Sequence, residues 1–73
     1  MDLVLERGGR LVAGIEVKAA GTVRAADFRG LQKLRRAAGE RFANGVVLYD
    51  GEAEAPFGER LYAVPLRRLW EAP

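Results

Sequence analysis

Apolar and polar positions along the chain follow a period of two at the start, switch to a helical period in the middle, and return to short apolar runs towards the end. Residues 3–6 and 11–18 are dominated by aliphatic and β-branched side chains, and Arg7-Gly8-Gly9-Arg10 separates them. Short runs of this kind broken by a glycine pair predict a β-hairpin. Over residues 25–38, Phe28, Leu31, Leu34 and Ala38 fall on one helix face, and Gly39 is placed to end the helix. Asn44-Gly45 reads as a turn, 46–49 as a short buried strand, and 52–60, with Pro56 and Gly58, as a loop. Residues 61–64 form a last strand, and Pro65 suits the first turn of a closing helix carrying Leu66, Leu69 and Trp70. The predicted order is β-β-α-β-β-α, a mixed sheet flanked by helices in one α/β domain over residues 1–73.

The hairpin register decides which side chains share a face. Directly opposed residues of an antiparallel pair point the same way, as do residues two apart along a strand. A two-residue turn at Gly8-Gly9 would mix charged and apolar residues on both faces. A three-residue loop, Gly8-Gly9-Arg10, instead opposes Asp2 to Glu16, Leu3 to Ile15 and Leu5 to Ala13. It gathers Leu3, Leu5, Ala13, Ile15 and Val17 on one face and Asp2, Glu16 and Lys18 on the other. Segregation of this kind specifies register, so the longer loop is expected; a bulge at Gly14 would give the same result from the shorter turn.

That register suggests a chemistry. Two neighbouring carboxylates repel unless a hard divalent cation such as Mg²⁺ or Mn²⁺ lies between them. Asp2, Glu16 and the carbonyl of Val17 form a candidate metal site. Lys18 is placed to orient an attacking water or to neutralise charge in a phosphoryl transition state. Gly14, opposite Val4, leaves room for substrate, and phosphodiester hydrolysis is the reaction this set would serve. Read without that chemistry, the same residues make a solvated hairpin face with a cross-strand charge pair.

Composition narrows the setting. A chain of 73 residues buries only about 60% of its unfolded surface, so its single core is marginal. It has no cysteine and no histidine, which leaves self-association as the available support. No apolar run is long enough for a membrane span and no signal peptide pattern opens the chain, so a cytoplasmic protein with no membrane partner is expected. The net charge of +2 names no partner. Its distribution says more, because residues 24–41 carry six basic and two acidic side chains, whereas 50–73 carry five acids and three bases. Arg29, Lys33 and Arg36 fall at i, i+4 and i+7 and, with Gln32 beside them, form a candidate stripe for a DNA backbone. Phe42, Phe57 and Trp70 are not interleaved with basic residues and read as core and closure.

Ile15-Glu16-Val17-Lys18-Ala19-Ala20, Thr22-Val23-Arg24 and Asp27-Phe28-Arg29-Gly30-Leu31 resemble the signature of the PD-(D/E)xK nuclease superfamily. The likeness is strongest to the nuclease-like carboxy-terminal domain, of otherwise unknown function, of prokaryotic AAA+ type ATPases. The end of the chain agrees, through Val46-Val47-Leu48-Tyr49, Pro56-Phe57-Gly58-Glu59-Arg60-Leu61, Val64-Pro65-Leu66 and Leu69-Trp70. The resemblance implies a truncated restriction-endonuclease-like core without the superfamily's first helix and strand. It places the motif aspartate on Asp2 and the Glu and Lys of the motif on Glu16 and Lys18. Gln32 stands where some members carry a functional Gln. The upstream helix often supplies another carboxylate, for which Glu40 or Glu59 of a second copy are conceivable donors. The Walker A pattern is absent, so no nucleotide cofactor is expected. Three functions follow: a Mg- or Mn-dependent nuclease acting on DNA, a nucleic-acid binding or assembly module without turnover, and a remnant of an ATPase. An open sheet edge and an uncovered apolar face would make the chain a homodimer or a domain-swapped oligomer.

Overall fold

The computed structural model describes residues 3–71. Two strands open it, β1 (Leu3–Arg7) and β2 (Leu11–Lys18), followed by a 3₁₀ turn at Ala25–Phe28 that runs into α1 (Arg29–Ala38). A second 3₁₀ turn leads to β3 (Phe42–Tyr49), then β4 (Ala55–Pro56), β5 (Leu61–Pro65) and a closing 3₁₀ turn at Leu66–Leu69. The strands form one sheet in the order β1-β2-β3-β5-β4. Its outer pairs are antiparallel, and the β2/β3 and β3/β5 pairs are parallel. The domain is therefore α/β with a mixed five-stranded sheet.

The hairpin adopts the register that segregation of side chains requires. Leu3 faces Ile15, Val4 faces Gly14, and Leu5 faces Ala13. The loop is the three-residue Gly8-Gly9-Arg10: Arg10 N–H donates to the Arg7 carbonyl at 3.0 Å, and both glycines have positive φ. A side chain at either glycine would be strained. The β1/β2 ladder runs without a bulge at Gly14; the irregularity lies on the other side of β2, between Val12 and Ala13, where it meets β3.

The core forms where α1 and the preceding 3₁₀ turn lie on one face of the sheet. Phe28, Leu31, Val47 and Leu61 are fully buried there, with Phe42, Ala63 and Tyr49 around them, and Phe57 stacks on Phe28 with ring centroids 4.8 Å apart. Burying four such side chains supplies about 1.5–3 kcal/mol each. The parallel register sets Glu16 beside Val47 and Lys18 beside Tyr49, so Glu16 and Lys18 are on the helix-bearing face. Among the described residues no helix of comparable length covers the other face, and Leu3, Leu5 and Val17 are about half exposed there.

Four expectations need correction. Asn44-Gly45 is not a turn but lies inside β3, which starts at Phe42. A Cβ on Gly45 would meet Leu61 Cδ2 at 2.9 Å, Phe42 Cζ at 3.1 Å and Leu31 Cβ at 3.3 Å. The glycine serves close packing of α1 on the sheet rather than a change of direction. The stretch 52–60 holds the short strand β4, and the closing helix is only a 3₁₀ turn, so the order β-β-α-β-β-α gives way to β-β-α-β-β-β. Leu69 and Trp70 project into solvent, Trp70 at 74% exposure, and do not close the core. Phe42 and Phe57 do.

Candidate functional site

β2 carries Glu16 and Lys18 into a cleft of about 490 Å³ between the sheet and the start of α1, lined also by Val17, Asp27, Arg29 and Gly30. Lys18 Nζ donates to Asp27 Oδ2 at 2.6 Å. The same oxygen accepts the backbone N–H of Arg24 at 2.8 Å. The local reason is a capping arrangement, because Asp27 is the third residue of the 3₁₀ turn that begins after Arg24, and its carboxylate reaches back to the N–H that the turn leaves unpaired. The turn thus fixes Asp27, and Asp27 fixes the lysine at the end of β2. Bonding to Lys18 first, and to the Arg24 N–H second, holds the Asp27 carboxyl below its ordinary value of 3.8.

Of the residues singled out from sequence, Glu16, Val17, Lys18 and Arg29 meet in this cleft. Asp2 lies outside the described residues. Gly14 is buried in the β1/β2 ladder opposite Val4 and does not line the cleft, so it does not provide the expected opening for substrate. The proposed basic stripe divides: Gln32 and Arg36 line a second hollow on the C-terminal half of α1, while the exposed Lys33 lines neither. Glu40 and Glu59 also line that hollow rather than the cleft, so within one chain they are not cleft acids. Among the described residues no group of three or more acidic, histidine or cysteine side chains gathers to hold a metal. Of the residues lining the cleft, Glu16 brings a carboxylate that fits a hard cation, and Val17 has only a backbone carbonyl of that chemistry.

Asp27 was the residue missed. Its signal was present, as an acid three positions after Arg24 and one of only two acids in the basic stretch 24–41, but spacing alone did not connect it to a lysine nine residues earlier.

Residues 1–69, through the closing turn, match the family model of a domain of unknown function, DUF4143. The chain belongs to the DUF4143 family. In this DUF4143 domain the matched span takes in the hairpin, the cleft, α1 and the entire sheet. No curated protein and no solved structure matches the chain. Among the described residues of the DUF4143 domain, no helix is long and apolar enough to cross a membrane.

Proposed function

We propose that the chain is a PD-(D/E)xK-type nuclease core that hydrolyses phosphodiester bonds of DNA with Mg²⁺ or Mn²⁺. The observation that carries this reading is the cleft itself, where a carboxylate, an ammonium held by a second carboxylate, and a guanidinium line one opening. That set complements a phosphodiester. Asp2, Glu16 and the Val17 carbonyl would hold the metal, which when bound acidifies water and neutralises charge on the phosphate. Lys18, aimed by Asp27, orients the attacking water and stabilises the negative charge that builds on the phosphoryl oxygens. Arg29 on the cleft wall grips the neighbouring phosphate. Asp27 acts through Lys18 and is a positioning residue.

The deciding experiment is nicking of supercoiled plasmid in Mn²⁺, with EDTA, Lys18→Ala and Glu16→Gln as controls. EDTA-sensitive nicking that both variants lose supports the reading, and nicking that survives them assigns activity elsewhere.

A second reading is a nucleic-acid binding or assembly module without turnover. It is favoured by the cations of α1: among the described residues Arg29, Lys33 and Arg36 have no ion-pair partner. DNA binding with no nicking under any divalent metal selects it. For the open sheet face, the partner we propose is a second copy of the chain, in the cytoplasm.

A further inference from the structure

We propose that the hollow on the C-terminal half of α1 is a phosphate-binding site, separate from the cleft at Glu16 and Lys18. The hollow has a volume of about 830 Å³, and the side chains of Arg35, Arg36, Arg60 and Gln32 line it. Two of its three guanidiniums are already aimed. Arg35 Nη1 donates to the Glu59 carbonyl at 2.7 Å, and Arg60 Nη1 donates to the Phe42 carbonyl at 2.7 Å while its plane lies 5.8 Å from the Phe42 ring centre. Each bond uses one donor of five, so the forks keep donors for a ligand.

Arg60 bears the clearest mark of a purpose beyond packing. Its φ of 61° makes it the sole non-glycine among the described residues in the left-handed region. Left-handed backbone is unfavourable for a residue with a Cβ and is retained where neighbouring bonds over-determine it, commonly at ligand clamps. Here the clamp is the Arg60 carbonyl accepting from Gly45 N–H at 2.8 Å and the Phe42 carbonyl accepting from the guanidinium. Even so, Arg60 Nε is buried with no acceptor. A structural staple on β3 explains the Nη1 bond; the buried Nε is out of a ligand's reach and is not counted among the donors. Arg36 is exposed and unpaired among the described residues.

Three forked donors around one opening match a tetrahedral oxyanion with several acceptor oxygens. Two acids, Glu40 and Glu59, also line the hollow, leaving a side-chain balance of three positive against two negative. Both are exposed, and Glu59, 3.6 Å from Arg60, has a side chain 78% open to water, so solvent and salt screen it. The phosphate can be free or belong to a nucleic-acid strand. For a strand, α1 provides the ruler: from Arg29 in the cleft to Arg36 in the hollow is seven residues, about 10 Å of helix, close to three nucleotides of duplex rise. Only this strand assignment rests on the nuclease reading.

The test uses the full chain in EDTA. Inorganic phosphate binding is followed by calorimetry, and fluorescein-labelled 12-nucleotide single-stranded and duplex DNA by anisotropy over a salt series. Arg36→Ala is the primary variant because Arg36 supports no packing bond; Arg60→Lys, checked by circular dichroism, keeps the charge and loses the fork; Arg10→Ala, an exposed arginine of the hairpin loop that lines neither opening, is the charge control. Expected are a fivefold or greater loss of phosphate affinity in Arg36→Ala, none in Arg10→Ala, and a salt slope for duplex shallower by about 0.9 in Arg36→Ala. Arg36-dependent phosphate binding without DNA binding keeps the site and assigns a free phosphate. Arg36-dependent phosphate binding in a chain that never nicks DNA removes the nuclease reading and leaves the site standing. Absence of phosphate binding in the parent, or equal binding in the parent and Arg36→Ala, overturns the proposal.

Discussion

Lys18 and Asp27, nine positions apart, meet at 2.6 Å across the edge of the cleft. One belongs to the end of β2 and the other to the turn that precedes α1, so the bond ties the sheet to the helix at the place where chemistry is proposed.

The acid limb of stability follows from this pair. Asp27 has a folded-state pKa depressed below 3.8, so its contribution is fully present above the unfolded value and is lost as pH falls through the depressed folded one. Lys18→Met should move the Asp27 carboxyl back up towards an ordinary aspartate. Carbon-detected NMR titration of the Asp side chains reads this directly, and an unmoved Asp27 would mean that the bond does not persist in solution.

Metal affinity is expected to be weak, since the cleft offers few oxygen donors. Glu16→Gln should lower Mn²⁺ affinity measured by calorimetry at least severalfold, while Lys18→Ala should leave it nearly intact and remove nicking. Equal, negligible affinity in the parent and in Glu16→Gln would eliminate the metal site.

Gly45, where α1 packs on the sheet, has no room for a methyl group. With Leu61, Phe42 and Leu31 all within 3.3 Å of the added Cβ, Gly45→Ala should destabilise the fold by about 1–3 kcal/mol through overpacking. Urea denaturation measures it, and a neutral result would show that α1 can lift from the sheet.

Self-association is the expected outcome of the unhelped face and the open edge. Every residue of β1 is exposed, and Leu3, Leu5, Leu11 and Val17 are each close to half exposed. The chain exposes 5001 Å², against roughly 4,500 Å² for a folded monomer of its mass. Light scattering after gel filtration should give about twice the monomer mass at micromolar concentration, and Leu5→Asp should dissociate or unfold the dimer. A thermally stable monomer would refute this assembly.

The residues explain why some of this was legible in sequence and some was not. Leu3, Leu5, Ala13 and Ile15 allow only one register that keeps Glu16 and Lys18 apart from the apolar set, so the hairpin could be read outright. Leu31 and Phe28 mark the helix face by spacing, although the first turn is 3₁₀. Asn44-Gly45 misled because the dipeptide favours turns by itself, whereas its place in β3 is decided by what packs on Gly45 from α1 and β5. The closing segment misled for a related reason, since Leu66, Leu69 and Trp70 have helical spacing but the segment forms a single 3₁₀ turn and leaves Leu69 and Trp70 in solvent. By spacing, Arg36 continues the stripe of Arg29 and Lys33, with Gln32 beside it; in the folded chain Gln32 and Arg36 open onto a different hollow.

The close contact at Gly45 also has a mechanical meaning. Leu31 rests on it, between Arg29 and Gly30 on the cleft side and Gln32, Arg35 and Arg36 on the other. The contact therefore sets how closely α1 approaches the sheet, and this one spacing fixes the depth of both hollows.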